Sequence, residues 1–261
     1  MKTILTIAFT LAIPASVFAH EGHTHAPTPQ TQQKIVRLNT EQPKVHLVVQ
    51  RRAAETDQPE LAKLFEPFSE RVKVRSDRDF LFVESNGMPA HSMMTGISAW
   101  QQQVPIPHDF TGGNRFKLPL NPEYLEEPGE LTLMGPIALA VNGIPIFHAL
   151  TQSGKDAYAG GELDEWGGHC GRADDYHYHI APGHLEALVG EGNPVAFGLD
   201  GFPIYLADPS KDKPLDECHG YFDDEGNYRY VGELKPPYDM SYFRGKADLQ
   251  DRPPTRGVRP H

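Results

Sequence analysis

His177 and His179 are separated by a single tyrosine. On a strand, side chains alternate between faces, so both imidazoles point one way while Tyr176 and Tyr178 share the other face. Two nitrogens on one face can hold one metal ion. His169 and Asp175 lie in the same run, Trp166 to His179, and are candidates for a third ligand. His91 and His148 follow two Asn-Gly turns at nearly matching offsets, which would bring them to a common rim and adds His148 to the candidates. The tyrosines of the opposite face would bury their rings, seek hydroxyl partners and so fix the strand that presents the ligands. The pattern predicts one transition-metal ion, zinc or copper. Half-buried histidines satisfied by backbone carbonyls are the competing reading, and it stays open.

Other catalytic templates are missing. There is no Gly-x-Ser-x-Gly elbow, phosphate-cradling Gly-Lys-Ser/Thr loop, dinucleotide fingerprint or His-Glu-x-x-His pair. The acid pairs Asp174-Asp175 and Asp223-Asp224 could serve acid/base chemistry, but adjacent acids in loops are usually solvated.

The elements that must carry these residues are short. Apolar runs recur before Asn86-Gly87-Met88-Pro89, Asn142-Gly143-Ile144-Pro145 and Asp200-Gly201-Phe202-Pro203. Asn-Gly and Asp-Gly are strong hairpin signals, and the following proline suits a strand start or an edge. Three related hairpins predict a mostly β chain, with antiparallel hairpins forming a barrel or sandwich and one or two short helices. The clearest helix spans Thr56 to Glu70, with Leu61, Leu64, Phe65 and Phe68 on one face, an Asp57 cap, Pro59 in the first turn and an early stop at Pro67.

Residues 1–19 have one charge, an apolar run from Ile4 to Ile13 and Val17-Phe18-Ala19 as a cleavage pattern, which predicts a signal peptide and a periplasmic or secreted product. An oxidising compartment makes a Cys170–Cys218 disulfide the expectation for the only two cysteines. Residues 20–34 read as a flexible tail whose His20, His23 and His25 would collect metal weakly, with a copper site at a free His20 terminus as the alternative. Residues 35–79 form an N-terminal segment with the one helix, 80–247 the β domain, and 248–261 a C-terminal tail.

Composition fits this division. Of 261 residues, 39% are hydrophobic, enough for a core, while Gly 24 and Pro 24 make the chain loop-rich. A formal net charge of -11 with no Lys/Arg block argues against nucleic-acid binding. No segment has the length of a membrane span. A protein partner is not indicated by any motif.

Gly167-Gly168-His169-Cys170-Gly171 leading to Tyr176-His177-Tyr178-His179, then Leu199 to Tyr205, Leu215-Asp216-Glu217-Cys218-His219-Gly220 and Tyr242-Phe243-Arg244-Gly245, resemble the YHYH-domain family over about Phe80 to Lys246. The resemblance implies an exported, bacterial, metal-associated protein without an established reaction. Many members of that family carry a second Tyr-His-Tyr-His. Here its place reads Tyr228-Arg229-Tyr230-Val231, so the resemblance carries the first pair only. The leading expectation is an exported metal-binding protein. A metal-dependent hydrolase, a copper oxidoreductase and a metal-free surface or matrix module are the alternatives.

Overall fold

The computed structural model describes residues 59–98, 115–171, 175–208 and 213–249. All belong to one compact unit, Val45–His261. The expected signal peptide, the histidine tail, Asp57, Asp174 and most of the C-terminal tail lie outside the described residues.

The helix expected near Pro59 is a 3₁₀ helix, Glu60–Phe68. Its buried residues, Ala62, Phe65 and Phe68, repeat every three positions, the period of that helix type. Two strands then form a hairpin, β1 (Val72–Ser76) and β2 (Phe80–Ser85), and β3 (Arg115–Pro119) pairs with the far edge of β2. Both edges of β2 are therefore taken. For this reason the first Asn-Gly, at Asn86-Gly87, is a turn without a returning strand, contrary to the expectation of three hairpins.

The other two turns are hairpins. After β4 (Tyr124–Gly129), β5 (Pro136–Ala140) turns at Asn142-Gly143 into β6 (Pro145–Phe147), and β7 (Gly168–Cys170) and β8 (Tyr176–Tyr178) follow. A short helix α1 (Glu186–Val189) leads to β9 (Ala196–Gly198), which turns at Asp200-Gly201 into β10 (Pro203–Leu206). Then come β11 (Gly220–Phe222), β12 (Tyr228–Gly232) and β13 (Phe243–Gly245), the last paired with β4. Strands β5 to β12 make one sheet, ordered β11-β12-β10-β9-β5-β6-β8-β7.

This sheet is open at both ends, so the barrel alternative is set aside and a sandwich-like layout remains. It is also mixed, since β6 pairs with β8 and β10 with β12 in parallel. The three-stranded sheet and the 3₁₀ helix share a single apolar core with it. Leu81, Val83, Phe116 and Leu118 join Ile137, Leu139 and Phe197 in that core, and Phe65 stacks on Phe197 at 6.2 Å. Gly143 shows how closely the layers meet, because a Cβ there would stand 2.7 Å from Val72 and 2.8 Å from Ser85. Each of the larger fully buried side chains contributes roughly 1.5–3 kcal/mol through burial.

The sheet repeats itself. In the first half (β5–β8), Ile146 pairs with Tyr178 and Gly168 with Tyr178. In the second (β9–β12), Ile204 pairs with Tyr230 and Gly220 with Tyr230. The halves meet along an antiparallel seam, Ala138↔Gly198, Leu139↔Phe197 and Ala140↔Ala196, which is what a twofold relation at Leu139 and Phe197 produces.

Both halves are anchored alike. Asp164 Oδ1 accepts the N–H groups of Trp166 (3.0 Å) and Gly168 (3.1 Å), and Tyr176 donates its hydroxyl to the same carboxylate. Asp216 Oδ1 accepts from Cys218 (2.9 Å), Gly220 (3.1 Å) and the Tyr228 hydroxyl (2.9 Å). Gly167 and its counterpart His219 both turn through positive φ, at 83° and 68°.

The strand order also separates the cysteines. Cys170 ends β7 and Cys218 precedes β11, the two outermost strands. Seven strand spacings place these edges on the order of 30 Å apart along the sheet, whereas a disulfide needs Cα atoms within about 7 Å. The expected Cys170–Cys218 bridge is not formed, and both side chains are buried as thiols.

Candidate metal centre

Strand alternation holds at β8. Tyr176 and Tyr178 contact each other at 5.5 Å on one face, and His177 and His179 lie 4.9 Å apart on the other. Antiparallel register adds the third member, because His169 is the direct cross-strand partner of His177 and so shares its face. A ring nitrogen from each of His169, His177 and His179 lies within 4.8 Å of the others, and all three residues are buried.

Each ring is oriented by the backbone. His169 Nδ1 is 3.0 Å from the Glu162 carbonyl, His177 Nδ1 3.1 Å from that of Asp175, and His179 Nδ1 2.6 Å from that of His148. A carbonyl only accepts, so each Nδ1 carries the hydrogen and each Nε2 of the neutral ring carries a lone pair. His169 Nε2 and His179 Nε2 are 3.1 Å apart. Two lone pairs thus face each other across hydrogen-bond distance.

Burial works against a proton held between them at neutral pH. Burial pushes His169 down to about 4 and His179 down to about 3, and holds His177 well below the usual imidazole range. A cation that accepts both lone pairs removes the conflict. An ion about 2.0–2.1 Å from each nitrogen would see the pair at roughly 100°, near a tetrahedral angle. The donor set and its spacing fit a metal ion.

The remaining candidates are placed otherwise. His148 serves through its carbonyl, while its own Nδ1 accepts the Leu150 N–H at 2.9 Å, so its imidazole is not part of the triad. Asp175 likewise offers a carbonyl to His177, and its carboxylate borders Gly171 outside the three-nitrogen group. His91 is on the tyrosine face, where it accepts the Tyr178 hydroxyl at Nε2 (2.7 Å) and stacks on Trp166. The common rim expected for His91 and His148 does not form.

Sequence reading passed over Asp164, Phe147 and the Glu162 carbonyl. Phe147 packs flat on His177, with ring centroids 4.0 Å apart, and edge-on to His179. Asp164 fixes the tyrosine face of the same strand, aided by the Met94 N–H at 3.0 Å. Gly168 makes room for this, since a Cβ there would stand 2.5 Å from the Tyr176 hydroxyl and 2.6 Å from the His177 carbonyl.

Residues 115–213 match the family model described as YHYH protein. The YHYH match begins at the first residue of β3 and spans the whole first half of the sheet, including the triad, which bears out the resemblance read from the motifs. It stops before β11 and β12, the strands on which the second half departs from the motif. No curated protein and no solved structure matches the chain. No helix among the described residues is long and apolar enough to cross a membrane.

Proposed function

We propose that the mature chain is an exported protein that binds one transition-metal ion, zinc or copper, through His169, His177 and His179. The facing lone pairs of His169 and His179 carry this reading, because a buried site of that form stores repulsion until an electrophile occupies it. Imidazole nitrogens suit zinc and copper alike. Export rests on the first nineteen residues.

Elemental analysis of untagged protein purified from the periplasm tests it. One zinc or copper per chain is expected, falling below about 0.2 in the His177→Ala, His179→Ala double variant with the fold retained. Metal content unchanged in the double variant would leave the histidines as structural groups. Mature protein recovered from the cytoplasm would overturn export.

A further inference from the structure

We propose that Tyr178 and His91 form a one-electron redox pair reached through Trp166, in which Tyr178 gives up an electron while its hydroxyl proton passes to His91 Nε2. The pair stands apart from the metal-binding reading and uses the opposite face of β8. Each of its hydrogens is placed by a neighbour. Asn142 Oδ1 accepts the Ile144 N–H at 3.2 Å, so the amide turns its Nδ2 to the Tyr178 oxygen at 2.9 Å. That oxygen accepts from the amide, and its own hydrogen goes to His91 Nε2 at 2.7 Å. His91 Nδ1 stands 2.7 Å from the Ser92 carbonyl and carries the ring hydrogen, which makes Nε2 the acceptor.

The second half of the sheet solves the same problem differently. Asp200 stands at its hairpin turn where Asn142 stands in the first half, and Asp200 Oδ1 likewise accepts a turn N–H, from Phe202 at 3.3 Å. Its Oδ2 accepts the hydroxyl of Tyr230, the counterpart of Tyr178. Exchange of that carboxylate for an amide reverses the polarity of the contact, and the first half recruits an imidazole from 87 positions away. Burial of a hydroxyl does not by itself require this, because carboxylates satisfy Tyr176, Tyr228 and Tyr230. The imidazole differs as a base. Asp164, Asp200 and Asp216 each also accept at least two N–H groups, which spends their lone pairs. An imidazole ordinarily protonates near about 6.5, against about 3.9 for an aspartate. Burial lowers His91, while the Ser92 carbonyl and the Asp164 and Glu165 carboxylates favour its protonated form.

Trp166 is the way in. Its ring is part-exposed and stacks on His91 with centroids 5.0 Å apart, and the His91 ring lies 5.9 Å from that of Tyr178. A one-electron oxidant of the radical or high-valent metal class takes an electron from the indole. Trp166 Nε1 is buried with no hydrogen-bond partner among the described residues, so the indole cation keeps its proton and stays strongly oxidising. Tyr178 then returns an electron to Trp166 as its O–H bond breaks and an N–H bond forms at His91 Nε2. The products are the reduced oxidant, neutral Trp166, a neutral Tyr178 phenoxyl radical and a His91 imidazolium. Tyr178 is fully buried, and a cation left on its ring would be costly, whereas the proton transfer moves that charge to His91 beside two carboxylates.

Flash oxidation of the mature chain by photogenerated tris(bipyridine)ruthenium(III), read by electron paramagnetic resonance after rapid freezing, provides the test. A tyrosyl radical that is absent from Tyr178→Phe is expected. His91→Gln keeps an acceptor for the hydroxyl but not a base for its proton, and should lower the yield of that radical about tenfold with the circular dichroism of the parent. Trp166→Phe should slow its formation about tenfold by placing the first electron loss elsewhere. Equal radical signals in the parent and Tyr178→Phe, an unchanged yield in His91→Gln, or an unchanged rate in Trp166→Phe would each overturn the proposal. Should Tyr178→Phe not fold, the His91→Gln and Trp166→Phe measurements decide it, because both variants retain Tyr178. None of these readouts requires zinc or copper, so their failure leaves the metal reading in place.

Discussion

A residue in this site acts through the group it leaves polar as much as through the group it buries. Tyr176 and His177 are neighbours in sequence and opposite in effect. Replacing Tyr176 by Phe removes the donor to both oxygens of Asp164 and should lower unfolding free energy by about 1–3 kcal/mol, with metal content retained. His177→Ala should reverse the pattern, and chemical denaturation beside metal analysis separates the two. Asp239 offers a test of pH. It is fully buried, its Oδ1 accepts the Met240 N–H and its Oδ2 has no hydrogen-bond partner among the described residues. Burial pushes its carboxyl up to about 8 from an ordinary 3.8. The folded state therefore binds the proton more tightly than the unfolded chain, so this stabilisation is complete below about pH 4 and is lost as pH rises through 8. Asp239→Asn stays neutral throughout, and its stability should gain on the parent protein from pH 5 to about 8 and level off above that in melting experiments. Parallel curves would show that Asp239 does not titrate as its burial requires. The histidine pair was legible in the sequence because a strand has a period of two. The orienting role of the His148 carbonyl was not legible, because a backbone group leaves no trace in residue type.

At the scale of elements, the same strand–turn–strand unit occurs twice with different chemistry. Tyr221, Arg229 and Val231 occupy the places of His169, His177 and His179. The triple variant Tyr221→His, Arg229→His, Val231→His should take up a second zinc, raising zinc per chain from one to two in equilibrium dialysis. A ratio still at one would mean that the second half does not orient its rings through the backbone as the first does. The second and third Asn-Gly-type turns were legible as hairpins because the local turn decides them. The first was not, since β2 lacks an open edge only through its pairing with β1 and with β3, some thirty residues further along the chain. The duplication itself left a signal in Asp-Glu followed by Tyr-x-Tyr at residues 164–178 and 216–230, but only the shared ladders and the paired carboxylate anchors show that the two stretches are one structure.

The whole molecule decides the cysteines. Export and an even count argue for a bridge, yet strand order puts one thiol in each half, Cys170 against Tyr176 and Cys218 against Tyr228. Burial pushes the Cys218 thiol up to about 11, which leaves little reactive thiolate. Denatured, unreduced protein should therefore yield two thiols per chain with a thiol reagent and the native protein far fewer. None in the denatured sample would show a bridge that the sheet order does not permit within one folded chain. The seam has a further consequence, for the order of folding events. Each half builds its own ladders from a contiguous stretch of chain, and among the described residues the two halves of the sheet are joined by the short β5–β9 ladder. Loop closure within a half is short-range and fast, whereas closure of the seam waits on both. The chain therefore has two alternative nuclei and one shared late step, and the small residues Ala138, Ala140, Ala196 and Gly198 at that seam allow two preformed half-sheets to zip together with few side chains to rearrange.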